Sequence, residues 1–264
     1  MSSVDVSVVI PCYNSARTLG RALMSVANQT RPPREVIIVN DGSNDDVRGV
    51  VDAALQVDPP FKILLVERPV NDGAAVARNR GWEIATSHFV AFLDADDEWL
   101  PHKLERQYDV MQRHPEAVLS GHLFTHSDAP FHQPLEAPTS ERVSLERLLF
   151  RNVFSTPSAM IRRDVATRFR AEWTHSEDYL LWMETVARHG HALLIREPLV
   201  RLHKAAYGEA GLSANTHAMQ QGQIRAFLHL RSTGVISRLC LVVALTWSYV
   251  KYVRRRMVLL TGFR

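Results

Sequence analysis

A chain of 264 residues holds one large or two small domains, and 46% hydrophobic with 22% charged residues is enough to bury a sizeable core. The net charge of +3 is uneven: residues 210–264 carry eight Lys or Arg and no Asp or Glu, which leaves 23 basic and 28 acidic groups, a net of −5, on residues 1–209. A local basic patch implies a local anionic partner, but this one is apolar between its charges and lacks an aromatic-rich stacking surface, which excludes a nucleic-acid binder.

Residues 6–10 are a continuous β-branched run, and residues 17–29 read as a helix with Leu19, Leu23 and Val26 on one face. A second apolar run, 36–39, ends in NDGS; residues 45–55 read as a helix, 61–66 as a third strand, 73–86 as a helix and 89–93 as a fourth strand. Short apolar strands separated by helices predict an α/β fold, a mostly parallel sheet with helices on both faces. Ligands of such sheets bind beyond the carboxyl ends of the strands, which singles out PCYN, NDGS and DADDEW. Past residue 100 the pattern loosens. Residues 101–112 read as a helix, 125–140 as a proline-rich surface loop, and 144–150 and 176–189 as helices. Residues 204–218 read as a flexible loop rich in Gly, Ala, Ser and Asn, and 219–264 as helical.

Asp94-Ala95-Asp96 follows the apolar strand FVAFL. Alternate residues of an extended segment share a face, so both carboxylates can point at one divalent cation and leave positions for diphosphate oxygens and water. The competing reading is an acidic turn that caps the next helix. Tyr13 can stack a nucleobase, and Asn14 and Asp41 sit where a base edge or ribose hydroxyl would be read. Plain turn chemistry accounts for the same residues. Gly73-Ala74-Ala75-Val76-Ala77-Arg78 opens a helix whose N-terminus favours phosphate, with Arg78 a turn further in. Close helix–sheet packing explains those small residues equally well.

In this order, VSVVIPCYN, EVIIVNDGSNDD, NDGAAVARNRG and FVAFLDADDEW resemble the nucleotide-sugar half of family 2 glycosyltransferases. The resemblance is strong over residues 4–110 and continues weakly through STPSAMIRR and HSEDYLLW to about residue 215. It implies a GT-A, Rossmann-like fold with C-terminal helices, a divalent Mn²⁺ or Mg²⁺, and inversion at the anomeric carbon. Residues 1–110 become the nucleotide-sugar half, 111–215 the acceptor half of the same domain, and 216–264 a basic, apolar helical tail. Carried over, Pro11, Tyr13, Asn14, Asp41 and Arg78 hold the nucleotide. Asp94 and Ala95 lie by the ribose or donor sugar, and Asp96 binds the metal with Asp94. Asp178 becomes the catalytic base, with Glu177 and Trp182 on the acceptor side. An inverting transfer needs one base for the acceptor hydroxyl and a Lewis acid for the leaving diphosphate. Against this, Glu177 and Asp178 also suit the first turn of a helix. His203 is a candidate third metal ligand. Arg201 and Lys204 are candidate diphosphate contacts, and Ser213 stands where the family often has a serine. No QxxRW follows Asp178, which points to transfer of one residue rather than polymerisation. The expected donor is a UDP-sugar and the acceptor a glycan or lipid-linked precursor. The alternatives are a non-catalytic nucleotide-sugar-binding module and an aspartate-nucleophile phosphatase. The phosphatase fits poorly, because its DxD would follow the first strand.

Cys12 and Cys240 form no CxxC pair, which argues against a disulfide framework or zinc site and for a reducing cytosol. The N-terminus MSSVDVSVVIP has no signal-peptide character. Residues 239–250 are uncharged; as a helix they would span ~18 Å, short of the ~30 Å hydrocarbon core. Apolar and basic residues without acids suit a helix lying on an anionic membrane, here through residues 235–264. Packing on the catalytic domain or in a homo-oligomer is the alternative. The expected location is cytoplasmic, at the inner face of the cell membrane.

Overall fold

The computed structural model describes residues 3–126, 139–203 and 215–261. In the first half, strand and helix alternate: β1 (Val4–Cys12), α1 (Ala16–Ala27), β2 (Pro33–Asp41), α2 (Val47–Gln56), β3 (Lys62–Arg68), α3 (Ala74–Ile84) and β4 (Phe89–Phe92). β3, β2, β1 and β4 lie side by side and parallel. Alternate residues of β1 and β2 feed opposite faces. Val9, Ile37 and Val39 join one core with α3, while Val8, Ile10, Val36 and Ile38 join another with α1 and α2. On the first face α3 lies very close to β1: a Cβ on Gly81 would come within 2.3 Å of Val9 Cγ1.

The second half extends the same sheet with strands that periodicity does not reveal, while its three helices lie where they are expected. After β5 (Glu98–Trp99) and α4 (Lys103–Arg113) come β6 (Leu119–His126), β7 (Ser140–Val143), α5 (Leu145–Phe150), a 3-10 turn at Thr156–Ser158, β8 (Met160–Arg162), α6 (Glu177–His189) and β9 (Ala192–Leu202). Among the described residues the strand order is β3-β2-β1-β4-β8-β6-β9-β5, with β7 also on β9. β8, β5 and β7 pair antiparallel, so the parallel sheet becomes mixed past β4. The loop expected over residues 125–140 is narrower, because β6 runs to His126 and β7 begins at Ser140. Residues 127–138 lie outside the described residues, as do 204–214, which hold most of the second expected loop.

The C-terminal segment is two helices, α7 (Thr216–Ser232) and α8 (Arg238–Thr261), broken where Gly234 takes φ +76°. It is no loose tail. Ala226, Phe227, Leu230, Ile236 and Ala244 are buried in the α3–α6 core. The ring of Phe227 meets Tyr179 of α6 edge-on at 6.2 Å. The basic residues Lys251, Arg254, Arg255 and Arg256, crowded together in the sequence, also divide. Lys251 Nζ donates to the Phe150 carbonyl at 2.6 Å and Arg255 turns inward, leaving Arg254 and Arg256 exposed. Helical geometry sends consecutive side chains to different sides, which a run of basic residues conceals.

Candidate active site

The carboxyl ends of β1, β2 and β4 open into a cleft of about 970 Å³, closed on its far side by the 3-10 turn and the start of α6. Pro11, Tyr13, Asn14, Asp41, Arg78, Asp94, Ala95, Asp96, Glu177 and Asp178 all line it. The sheet thus brings together residues that lie up to 167 positions apart in the chain, Pro11 to Asp178.

After β1, Tyr13 is half exposed beside Asn14, whose φ of +49° is a left-handed conformation that Asn tolerates. Asn14 Oδ1 accepts the Asn44 N–H at 2.8 Å and its own N–H donates to Ser43 Oγ at 3.0 Å. Asn14 therefore ties the loop after β1 to the loop after β2. Asp41 is buried; its carboxylate accepts Arg68 Nη1 at 2.7 Å and the Gly73 N–H at 2.8 Å. Arg68, which also pairs with Asp72, is a partner that motif reading misses. It ends β3 directly opposite Asp41 in the parallel register, a pairing that needs the sheet to be known.

Arg78 joins the two halves. Its Nη2 donates to Asp94 at 2.7 Å, its Nη1 to Glu177 at 3.2 Å, and its guanidinium sits 5.4 Å from the centre of the Phe169 ring. Burial opposes its charge, but Asp94 and Glu177 outweigh that and raise its pKa. α3 can carry Arg78 to this point because Gly73, with φ +94°, turns the chain into the helix.

Asp178 faces the same cleft from the first turn of α6. The Thr156 hydroxyl donates to its Oδ2 at 3.2 Å and the Tyr179 N–H to its Oδ1 at 2.7 Å. Burial first, then the neighbouring Glu177 charge, push its pKa up to about 6, against the pull of Arg78 and those hydrogen bonds. A carboxyl that titrates near neutrality can accept a proton at physiological pH. Thr156 belongs to the weakly matching STPSAMIRR block, and its role emerges only when the 3-10 turn meets α6.

The acidic loop after β4 is held from behind. The Asp97 N–H closes a turn onto the Asp94 carbonyl at 3.0 Å, and Arg21 donates to the Asp96 carbonyl at 2.6 Å. Trp99 donates to the Pro157 carbonyl at 2.8 Å, and the buried Lys103 ammonium lies 3.7 Å from the centre of its ring. Burial lowers the Lys103 pKa well below the usual lysine range.

Three expected residues sit elsewhere. Trp182 is wholly buried, edge-on to Phe169 at 6.0 Å, because α6 leaves the cleft within one turn of Asp178. His203 is not in the cleft lining: its Nε2 pairs with Glu98 at 3.1 Å and its N–H donates to Asp97 at 3.2 Å. Arg201 stands opposite Glu98 in the β5–β9 pairing. The short β5 pairs with the end of β9 and draws both onto the acidic loop, where His203 meets Asp97 and Glu98 and Arg201 meets Glu98. Lys204 and Ser213 lie outside the described residues.

The cleft's donor set fits a hard divalent cation. Asp94 and Asp96 both line the cleft and both carry carboxylate oxygens. Among the described residues no three His, Cys, Asp or Glu side chains converge into a protein-only cage. Such a cation would therefore complete its coordination with diphosphate oxygens and water.

The profile of glycosyl transferase family 2 matches residues 7–169. A putative teichuronic acid biosynthesis glycosyltransferase of Bacillus subtilis, TuaG, is 28% identical over 252 residues, 94% of each chain. An Escherichia coli enzyme, the UDP-Glc:alpha-D-GlcNAc-diphosphoundecaprenol beta-1,3-glucosyltransferase WfgD, is 29% identical over 69% of this chain and 70% of its own. The chain spans only 33% of a longer uncharacterized glycosyltransferase of Nostoc sp., at 47% identity over 109 residues. Among solved structures, the mannosyltransferase PcManGT of Pyrobaculum calidifontis, in complex with GDP-Man and Mn²⁺, superposes with a TM-score of 0.67 at 19% identity. That match covers 95% of this chain and 74% of the other. With a sheet and cleft of this architecture, the fold is that of the GT-A glycosyltransferases, and the chain belongs to glycosyl transferase family 2.

Proposed function

We propose that this enzyme moves one sugar, with inversion, from a UDP-sugar to a hydroxyl of a lipid-linked or polysaccharide precursor of the cell envelope. The observation that carries this reading is a single cleft holding Asp41, Arg78, Asp94 and Asp96 together with a carboxyl with a raised pKa, Asp178. The names of TuaG and WfgD support the envelope acceptor and the UDP donor. Asp178 takes the proton of the acceptor hydroxyl as its oxygen attacks the anomeric carbon. The bond from that carbon to the diphosphate breaks, and the nucleoside diphosphate leaves with the electron pair. Asp94 and Asp96 would hold Mn²⁺ or Mg²⁺, which neutralises the diphosphate when bound. Electrostatics favours this, since the lining carries more carboxylates (Asp41, Asp94, Asp96, Asp97, Glu177, Asp178) than Arg78 and Arg255 balance, and a diphosphate there gains from an added cation. Arg78 fixes Asp94 and Glu177 relative to one another, and Tyr13 lies where a base can stack.

A panel of nucleotide sugars with Mn²⁺, Mg²⁺ or EDTA tests this by thermal shift and slow donor hydrolysis. Metal-dependent binding and hydrolysis of a UDP-sugar is the expected result, lost in Asp96→Ala without loss of fold. EDTA-insensitive binding of every active donor would contradict the metal role. Binding without hydrolysis or transfer to any acceptor would favour a non-catalytic module.

A further inference from the structure

α8 packs on the body through one face only. Leu241, Ala244, Leu245 and Ser248 turn inward onto α7 and α5. Leu239, Val242, Val243, Val250, Val253 and Met257 are all exposed. At ~100° per residue these six fall within an arc of about 100° on the outward side. A helix on the surface of a protein surrounded by water normally shows the reverse polarity. Both edges of the stripe carry one aromatic and one basic residue: Trp247 with Arg254, and Tyr249 with Arg256, all exposed. Tyr and Trp at the rim of an apolar band, beside Arg, suit the boundary between lipid tails and headgroups.

Charge decides what covers the stripe. Two copies of α8 packed stripe to stripe would shut Arg254 and Arg256 against a helix that offers no Asp or Glu to balance them, since residues 210–264 hold none. Anionic headgroups neutralise them instead. Among the described residues no helix is long and apolar enough to cross a membrane, so the contact is a surface one. The helix also reaches the chemistry. Arg255, between the two exposed arginines but turned inward, lines the same cleft as Asp178, and Lys251 lies within the field of both Arg255 and Arg151.

We propose that α8 docks this enzyme on an anionic bilayer, its outward stripe lying among the headgroups, with the Arg255 side of the cleft held one helix diameter from the lipid surface. Docking stands on the helix alone. Only the consequence, that a membrane-embedded acceptor meets the cleft at Arg255, rests on the lipid-linked reading above.

The full chain is sedimented with phosphatidylcholine vesicles, with and without phosphatidylglycerol, at low and high salt. Binding to the anionic vesicles is expected, weakened but not abolished by salt, since the stripe adds a term that salt does not screen. Arg254→Gln and Arg256→Gln each weaken it about five-fold at low salt, the equivalent of ~1 kcal/mol per charge. A Val242→Asp, Val250→Asp double variant loses binding. These two side chains point outward, so its melting temperature and its UDP-sugar binding stay close to wild type, which separates lost docking from lost folding. Three results overturn the proposal: a full chain that ignores anionic vesicles at low salt, an aspartate variant that binds them as well as wild type, or a dimer that the aspartates split while no vesicle binds. Vesicle binding without use of any lipid-linked acceptor supports docking and removes the acceptor reading alone.

Discussion

Asp178 sits under opposed influences. Burial and the adjacent Glu177 favour its protonated form, while Arg78, the Tyr179 N–H and the Thr156 hydroxyl favour the carboxylate. The balance at about 6 leaves it mostly ionised at neutral pH, so transfer should decline as pH falls through about 6. Thr156→Val removes a side-chain donor that favours the ionised form. A hydrogen bond to a charged group is worth roughly 1.5–3 kcal/mol, so the acid limb of kcat/KM should move upward by about one pH unit or more. A profile that does not move would show that Thr156 acts only on the backbone. The contrast with Trp182 is instructive. Both residues lie near the "ED" pair in the fold, but only the turn at Thr156–Ser158 faces the cleft. Sequence spacing along α6 cannot distinguish a side chain at the helix start from one a turn deeper. Asp178 itself is legible through the resemblance, because by composition alone it is an ordinary first-turn acid.

At the level of elements, β1 to β4 are legible because each has a short continuous apolar run at its centre, buried in β1, β2 and β4 and half-buried in β3, and helix periods separate them. β5 to β9 are not. Glu98–Trp99 is only two residues, and β9 contains Arg196, Glu197 and Pro198, so its strand character depends on partners far away in the chain. The misplacement of His203 follows from this, since nothing local tells that β5 will pair with the end of β9. α7 and α8 teach a related lesson about apolar residues. An uncharged run with basic flanks is compatible with packing or with a lipid surface, and α8 has both faces. Its inner face predicts that ending the chain at Gly234 is destructive. Removing Ala244, Ser248, Leu241 and Leu245 uncovers Phe227 and Leu230, which are wholly buried in the full chain. Large losses of core contact cost several kcal/mol. The truncated protein should melt well below the full chain or fail to fold. An unchanged melting temperature would mean that α8 contributes no packing energy.

At the scale of the whole molecule, one sheet, nine-stranded among the described residues, carries Asp41, Asp94 and Asp178 to a common opening. Arg78 connects the two sides by pairing with Asp94 and with Glu177, residues separated by 83 positions. On the proposed mechanism that union separates an enzyme from a module that only binds nucleotide sugars, which would need Asp94 and Asp96 but no base. The measurement that bears most directly on it is the transfer rate of Asp178→Asn, taken alongside its affinity for the donor. The substitution keeps the shape of the side chain and removes the proton acceptor. Transfer should fall by ~10²-fold or more, the scale of general-base loss, while UDP-sugar binding in the presence of Mn²⁺ stays near the wild-type value. A variant that turns over at a comparable rate would contradict the account and return Asp178 to the role of an acid at the start of a helix.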